Sequence, residues 1–186
     1  DEPIEGETIA VVPGAFKPPH MGHVDMVRKY AQDADRVIVL ISSPTKGGRK
    51  LPNGKEITAD HSERIWNLFV GSDPKIEVYK SSHASPINAA YEIVGRPGQR
   101  DKAAEQMAMD PIGEGDTIIL GASNKGGDAG RWTGAEKYVG EDLNLIPPGE
   151  SAVEPLARPN GEPFSATDMR ELLGDILANK EKLRDF

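Results

Sequence analysis

Apolar runs without polar alternation, set between stretches of helical period, predict an α/β domain: a doubly wound, Rossmann-like parallel sheet of about five strands with flanking helices. The runs are Thr8–Val12 (TIAVV), Arg36–Ile41 (RVIVLI) and Thr117–Leu120 (TIIL), with Lys75–Lys80 (KIEVYK) as a less apolar fourth. In such a sheet, ligands sit beyond the carboxyl ends of the strands, so the segments directly after each run are where a site is expected.

The elements follow in order. TIAVV ends at Pro13-Gly14, and Val24, Val27, Ala31 and Ala34 then keep helical spacing up to RVIVLI, which makes residues 8–42 a βαβ unit. Ile65, Leu68 and Phe69 mark a helix near 58–70, KIEVYK the next strand, and Ile87 to Val94 another helix. TIIL ends at Gly121, and Met169, Leu172, Leu173, Ile176 and Leu177 form the apolar stripe of a last helix.

A length of 186 residues suits one domain, spanning 1–186, that can bury a proper core. Three segments interrupt the pattern and read as loop insertions. Residues 45–57 contain Pro-Asn-Gly, a turn or hairpin signal, and look like a flap; residues 96–115 are polar with a short helical middle; residues 140–163, rich in Gly, Pro and Glu, are expected to wrap the surface.

A formal charge of −8 argues against nucleic acid or an anionic membrane as the main partner and favours small molecules, with oligomeric state left open. Zero cysteines exclude disulfides and thiol chemistry. No apolar run reaches the roughly 20 residues needed to span a bilayer. The first residues, DEPIEGE, are acidic where a secretory leader is basic, so a cytoplasmic protein is expected. A start without Met is compatible with a processed product or with a piece of a longer chain.

Directly after the first strand stands GAFKPPHMGH, residues 14–23, with two of the chain's four histidines. Gly14 permits a tight turn, and Pro18 biases Lys17 toward an extended conformation before a helix begins. His20 and His23, three apart on the first turn, face the same way at a helix N-terminus, where backbone N–H groups and the dipole favour an anion. Two histidines without a third ligand nearby leave a zinc tetrahedron unfilled, so no metal site is read from them.

The pattern GxFxPxHxGH after a first strand resembles the signature of the HxGH nucleotidylyltransferase superfamily, the cytidylyltransferase-like group that includes nicotinamide-mononucleotide, phosphopantetheine and glycerol-3-phosphate transferases. Phe164 to Arg170 (FSATDMR) resembles the family's ISSTxxR motif, with Phe for Ile and Ala for the second Ser. Ser165 with Asp168 also reads as an ordinary capping box; Arg170 is the residue that a cap does not explain, since a cation in a first turn opposes the helix dipole. Pro44-Thr45-Lys46 resembles the phosphopantetheine-type NPxK. The Pro-Pro form is also similar to uncharacterised cytidylyltransferase-like proteins of tailed bacteriophages, which would place the protein in a host cytoplasm.

The resemblance implies an enzyme that transfers a nucleoside monophosphate from a nucleoside triphosphate to a phosphorylated small-molecule acceptor, releasing pyrophosphate, with Mg²⁺ on the triphosphate. It implies catalytic roles for His20, His23, Lys46, Lys17 and Arg170. Nucleotide contacts are implied for Gly14, Ala15, Phe16, Gly22, Ser165, Ala166 and Thr167, and, after the TIIL strand, for Gly121, Ser123, Asn124, Asp128 and Arg131, with Lys125 beside them. Arg64 resembles the family's helix arginine. Pro after Lys17 favours AMP transfer; cytidylyltransferases usually carry Asp where Lys17 stands, yet CMP transfer stays open. His61 shares a face with Ile65 and Leu68 and reads as packed or half-buried, and His83 is unassigned. Neither a Walker loop, nor GxGxxG after a strand, nor a G-x-S-x-G elbow is present. The alternative class is a catalytically silent nucleotide-binding or scaffold domain of a larger protein.

Overall fold

Because no polar residue interrupts its middle, the run Thr8–Gly14 can be covered on both faces, and it forms the central strand β1 of the sheet. The structure is a computed structural model that describes residues 6–43, 49–81, 83–122, 128–148, 150 and 170–171. Around β1 lie β2 (Arg36–Ile41), β5 (Ile76–Lys80), β6 (Thr117–Leu120) and β7 (Asn144–Leu145), in the order β5-β2-β1-β6-β7 and all parallel. The chain builds outward from β1 to β2 to β5, then crosses back to place β6 on the other side of β1. The strand order therefore reverses between β1 and β6, the position at which such sheets form a crevice.

Alternate residues sort to the two faces. Ile9, Val11, Ile38, Leu40, Ile118 and Leu120 pack under α3 (Pro86–Ile93) and α4 (Pro97–Gln106). Ala10, Val12, Val37, Val39, Ile41 and Ile119 pack under α1 (Met21–Asp33) and α2 (Ala59–Val70). The buried face of α1 is Val24, Val27, Tyr30 and Ala31, close to the spacing expected from the sequence.

Two expectations need correction. The face of α2 turned inward is Ser62, Trp66 and Val70; Leu68 is 85% exposed, Phe69 is partly exposed and His61 lies on the exposed side. The local stripe through Ile65 and Leu68 lost to a second stripe four residues apart, anchored by a fully buried tryptophan. The start of segment 140–163 does not merely wrap the surface: Asn144–Leu145 adds β7 to the sheet edge. Its approach is fastened by Arg100 of α4, whose guanidinium is buried, pairs with both carboxylate oxygens of Asp142 and also donates to the carbonyls of Gly95 and Ile112.

The Pro-Asn-Gly reading holds. β3 (Arg49–Lys50) and β4 (Glu56–Ile57) pair antiparallel around a turn in which Gly54 takes φ 83°, a conformation that glycine adopts without strain. No helix among the described residues is long and apolar enough to cross a membrane.

Candidate functional site

The segment after β1 turns back on itself before α1 starts, and His20 is the N-cap of that helix. His20 has extended backbone angles, and its Nδ1 accepts the backbone N–H of His23 at 3.3 Å, while Nδ1 of His23 accepts the backbone N–H of His20 at 3.1 Å. This is a capping box made by two imidazoles instead of a hydroxyl and a carboxylate. The rings lie stacked, 3.6 Å between centroids and 16° from parallel. Since each Nδ1 is an acceptor, each neutral ring carries its proton on Nε2, so the pair presents two ring N–H donors side by side. No acidic residue occupies the first turn of α1, and the helix dipole there favours an anion.

Phe16 fixes where this cap stands. It adopts φ 48°, in the left-handed region that a bulky residue occupies only when its surroundings hold it. Its ring is wedged edge-on against His23 (4.8 Å) and Trp66 of α2 (5.1 Å), and its carbonyl accepts from the buried Ser62 hydroxyl. Gly14 matters for a different reason from the tight turn expected: a Cβ there would meet the Phe16 ring at 2.7 Å, so the glycine leaves space for the wedge. Phe16 is thus a buried support whose side chain faces the core.

Three more of the sequence candidates make contact with β1 or the loop after it. Nη1 of Arg170, 153 positions away, donates to the carbonyl of Lys17 at 2.6 Å. Arg131, after β6, donates to the carbonyl of Pro13 at 2.9 Å and lies over the Trp132 ring. Gly121 continues the ladder by donating to Val11, and a Cβ on it would strike Val12 at 2.8 Å. Lys17 itself is buried, 2% exposed, with its ammonium donating to the carbonyls of Ala15 (2.7 Å) and Ser42 (3.1 Å); burial lowers its pKa from the usual lysine value.

Sequence reasoning missed the residues that pin the β6 side. The Tyr30 hydroxyl donates to the Ala122 carbonyl at 2.9 Å and accepts the Ala122 N–H at 3.0 Å, and Trp132 Nε1 donates to Gly121. Tyr30 sits on the same face as Val27 and Ala31, which was the available signal for its burial but not for its partner. Ser62 and Trp66 were missed for the same reason. Ala15 is exposed beside the cap, and Gly22 lies in the first turn of α1. Lys46, Ser123, Asn124, Lys125, Ser165, Ala166 and Thr167 lie outside the described residues, as does the Asp128 side chain. Arg64 is exposed on α2, and His83 pairs with Glu92 at 2.8 Å, away from the cap.

On the other side of Lys17, toward β2 and β5, an open cavity of about 710 Å³ is lined by Lys17, Glu56, Asp60, Lys80 and Met107 among others. Lys80 and Asp60 pair across its mouth at 2.5 Å.

Residues 11–84, which run from the second half of β1 through the histidine cap, β2 and α2 to just beyond β5, match the family described as cytidylyltransferase-like. The likeness is to that segment, less than half of the chain. No curated protein matches it. Among solved structures it is similar to a bifunctional NMN adenylyltransferase/ADP ribose pyrophosphatase from Francisella tularensis. In complex with AMP and a manganese ion, that protein aligns at 14% identity and TM-score 0.50 over 88% of this chain and 40% of the other. A second structure of it aligns at 15% identity and TM-score 0.50 over 88% and 41%. The chain thus spans about two fifths of the length of those structures, and at such identity the likeness establishes the shared Rossmann-like fold.

Proposed function

We propose that this chain is a nucleotidyltransferase that moves a nucleoside monophosphate, AMP in preference to CMP, from a nucleoside triphosphate to a phosphorylated small molecule. The observation that carries the reading is the stacked His20–His23 cap, with two Nε2–H donors at the start of α1, at the strand-order reversal between β1 and β6. The match over residues 11–84 and the AMP-bound neighbour of the same fold support it.

In this reading an oxygen of the acceptor's phosphate attacks the α-phosphorus in line. The new O–P bond forms as the bond from the α-phosphorus to the bridging oxygen breaks, and that electron pair leaves with pyrophosphate. No covalent enzyme intermediate is needed, so the protein contributes positioning and charge stabilisation. His20 and His23 donate to the triphosphate and to the charge that develops on it. Arg170, with Ser165 and Thr167, faces the β- and γ-phosphates, Lys46 neutralises charge near the α-phosphate, and the segment after Gly121 receives base and ribose.

Among the described residues no group of three or more His, Cys, Asp or Glu could hold a metal ion. In this reading a magnesium ion would enter on the triphosphate's own oxygens, offsetting their charge, as Mg²⁺ commonly does. No step above is routed through it.

The test is a thermal-shift titration with ATP and with CTP, each with Mg²⁺, followed by a pyrophosphate-release assay against phosphorylated acceptors. Ligand at one hundred times Kd stabilises a folded protein by about 2.7 kcal/mol. We expect ATP to stabilise the wild type and His23→Ala to abolish the effect. No response to either nucleotide would return the chain to the scaffold class.

A further inference from the structure

We propose that Lys17 is the cation that receives the acceptor's phosphate, at the buried end of the cavity between the carboxyl ends of β1, β2 and β5, and that it does not bind the triphosphate. This deepens the nucleotidyl-transfer reading and rests on it for the acceptor's chemical role.

Lys17 is 2% exposed, yet it lines the 710 Å³ cavity. Its ammonium has three donors, and its partners among the described residues are two backbone carbonyls, which satisfy hydrogen bonds without cancelling the charge. No carboxylate among the described residues pairs with it, and the cost of desolvating a charge falls when an anion joins it. The remaining charges of the lining are arranged otherwise. Glu56, Asp60 and Lys80 are exposed, and Asp60 is already matched by Lys80. The cavity is therefore positive at its buried end. That polarity fits a phosphate monoester whose phosphate enters first.

Position gives the division of labour. His20 lies three residues after Lys17 and caps α1 with its ring on His23, whereas the Lys17 ammonium donates to the carbonyl of Ser42, just after the end of β2. Arg170 grips the Lys17 carbonyl while the side chain of Lys17 holds the cavity, so one residue borders both substrates. Gln106 and Met107, at the end of α4 and within the segment that interrupts the strand–helix alternation, also line the cavity, and Gln106 is the polar one of the two.

The test is calorimetric titration of inorganic phosphate into protein saturated with a non-hydrolysable analogue of whichever triphosphate binds. Lys17→Gln keeps donors for the two carbonyls and removes the charge; we expect phosphate affinity to fall about tenfold or more, with analogue affinity within about twofold. Gln106→Lys should tighten phosphate binding and Gln106→Glu should weaken it, each severalfold, and both leave the Lys17 loop untouched. This pair decides the matter if Lys17→Gln proves unfolded by circular dichroism. Phosphate binding that ignores all three substitutions overturns the proposal, and so does a Lys17→Gln protein that loses the analogue and phosphate equally. If the wild type binds no triphosphate, the transfer reading fails by itself, and the same phosphate titration without analogue still tests Lys17.

Discussion

The first turns of α1 and α2 are built on one plan and set in different surroundings. In each, the N3 histidine accepts the N-cap backbone N–H on its Nδ1, at 3.1 Å, while the N-cap side chain accepts in return. At α2 the cap is Thr58 with His61, both exposed, and Asp60 in the same turn already supplies the negative charge that the dipole favours. At α1 the cap is a second histidine, the rings stack, Phe16 braces one of them, and the turn carries no acid. In the function we propose, the same four-residue device is local stabilisation in one place and a binding surface in the other. Its position relative to the strand-order reversal, and the sign of charge beside it, make the difference.

The comparison breaks first at its brace. Trp66→Ala empties the space behind Phe16 and should cost about 3–5 kcal/mol of stability, read by urea unfolding; a loss below about 1 kcal/mol would mean that α2 does not support the α1 cap. Next comes His23→Ala against His61→Ala. Losing a charge-stabilising donor should lower turnover about 10²–10³-fold for His23, as removal of such donors does elsewhere, and leave His61→Ala within about twofold. Equal effects would dissolve the distinction between the caps.

This distinction was half legible in the sequence. GAFKPPHMGH after an apolar run marked the α1 turn as a candidate site, because glycine, proline and histidine are the residue types that shape a turn and offer donors there. His61 read as packed because the stripe Ile65, Leu68 looked like the buried face of α2, and local period has no means of knowing that Ser62 is wanted by the Phe16 carbonyl 46 positions away. In the same way β1, β2 and β6 were readable from uninterrupted apolar runs, whereas β7 is two residues, Asn144–Leu145, placed by its pairing with β6 and by the Arg100–Asp142 fastening. Long-range partners of single polar groups, Tyr30 with Ala122 above all, leave no periodic trace.

Tyr30→Phe sharpens the comparison from the other end of α1. It strips the Ala122 N–H and carbonyl of their shared partner and should cost about 1–3 kcal/mol, with nucleotide affinity falling while phosphate affinity holds. If both fall together, the β6 side and the cavity side are not separable.

The most gradual effect is that of acid. Burial raises the Glu77 pKa, but the hydrogen bonds from Arg36 and Tyr79 outweigh it and hold the carboxyl below its usual range. Asp142 is held down chiefly by its hydrogen bond from Arg100. A depressed carboxylate contributes stability that is fully present above its unfolded value, about 4, and is lost as pH falls through the lower folded value. The wild type should therefore weaken below about pH 4, and Glu77→Gln or Asp142→Asn should flatten that acid limb, measured as midpoint against pH.

The bond from Arg170 to the Lys17 carbonyl also sets a length requirement. By Leu120 the chain already contains β1, β2, β5 and β6, with both histidines and the wedge of Phe16. Arg170 then closes a loop of 153 positions onto the segment between β1 and α1. Four strands of the sheet and the fastening of the Lys17 loop are therefore supplied by parts of the chain far apart, and a copy cut short before residue 170 would keep the residues of the first and lose the second.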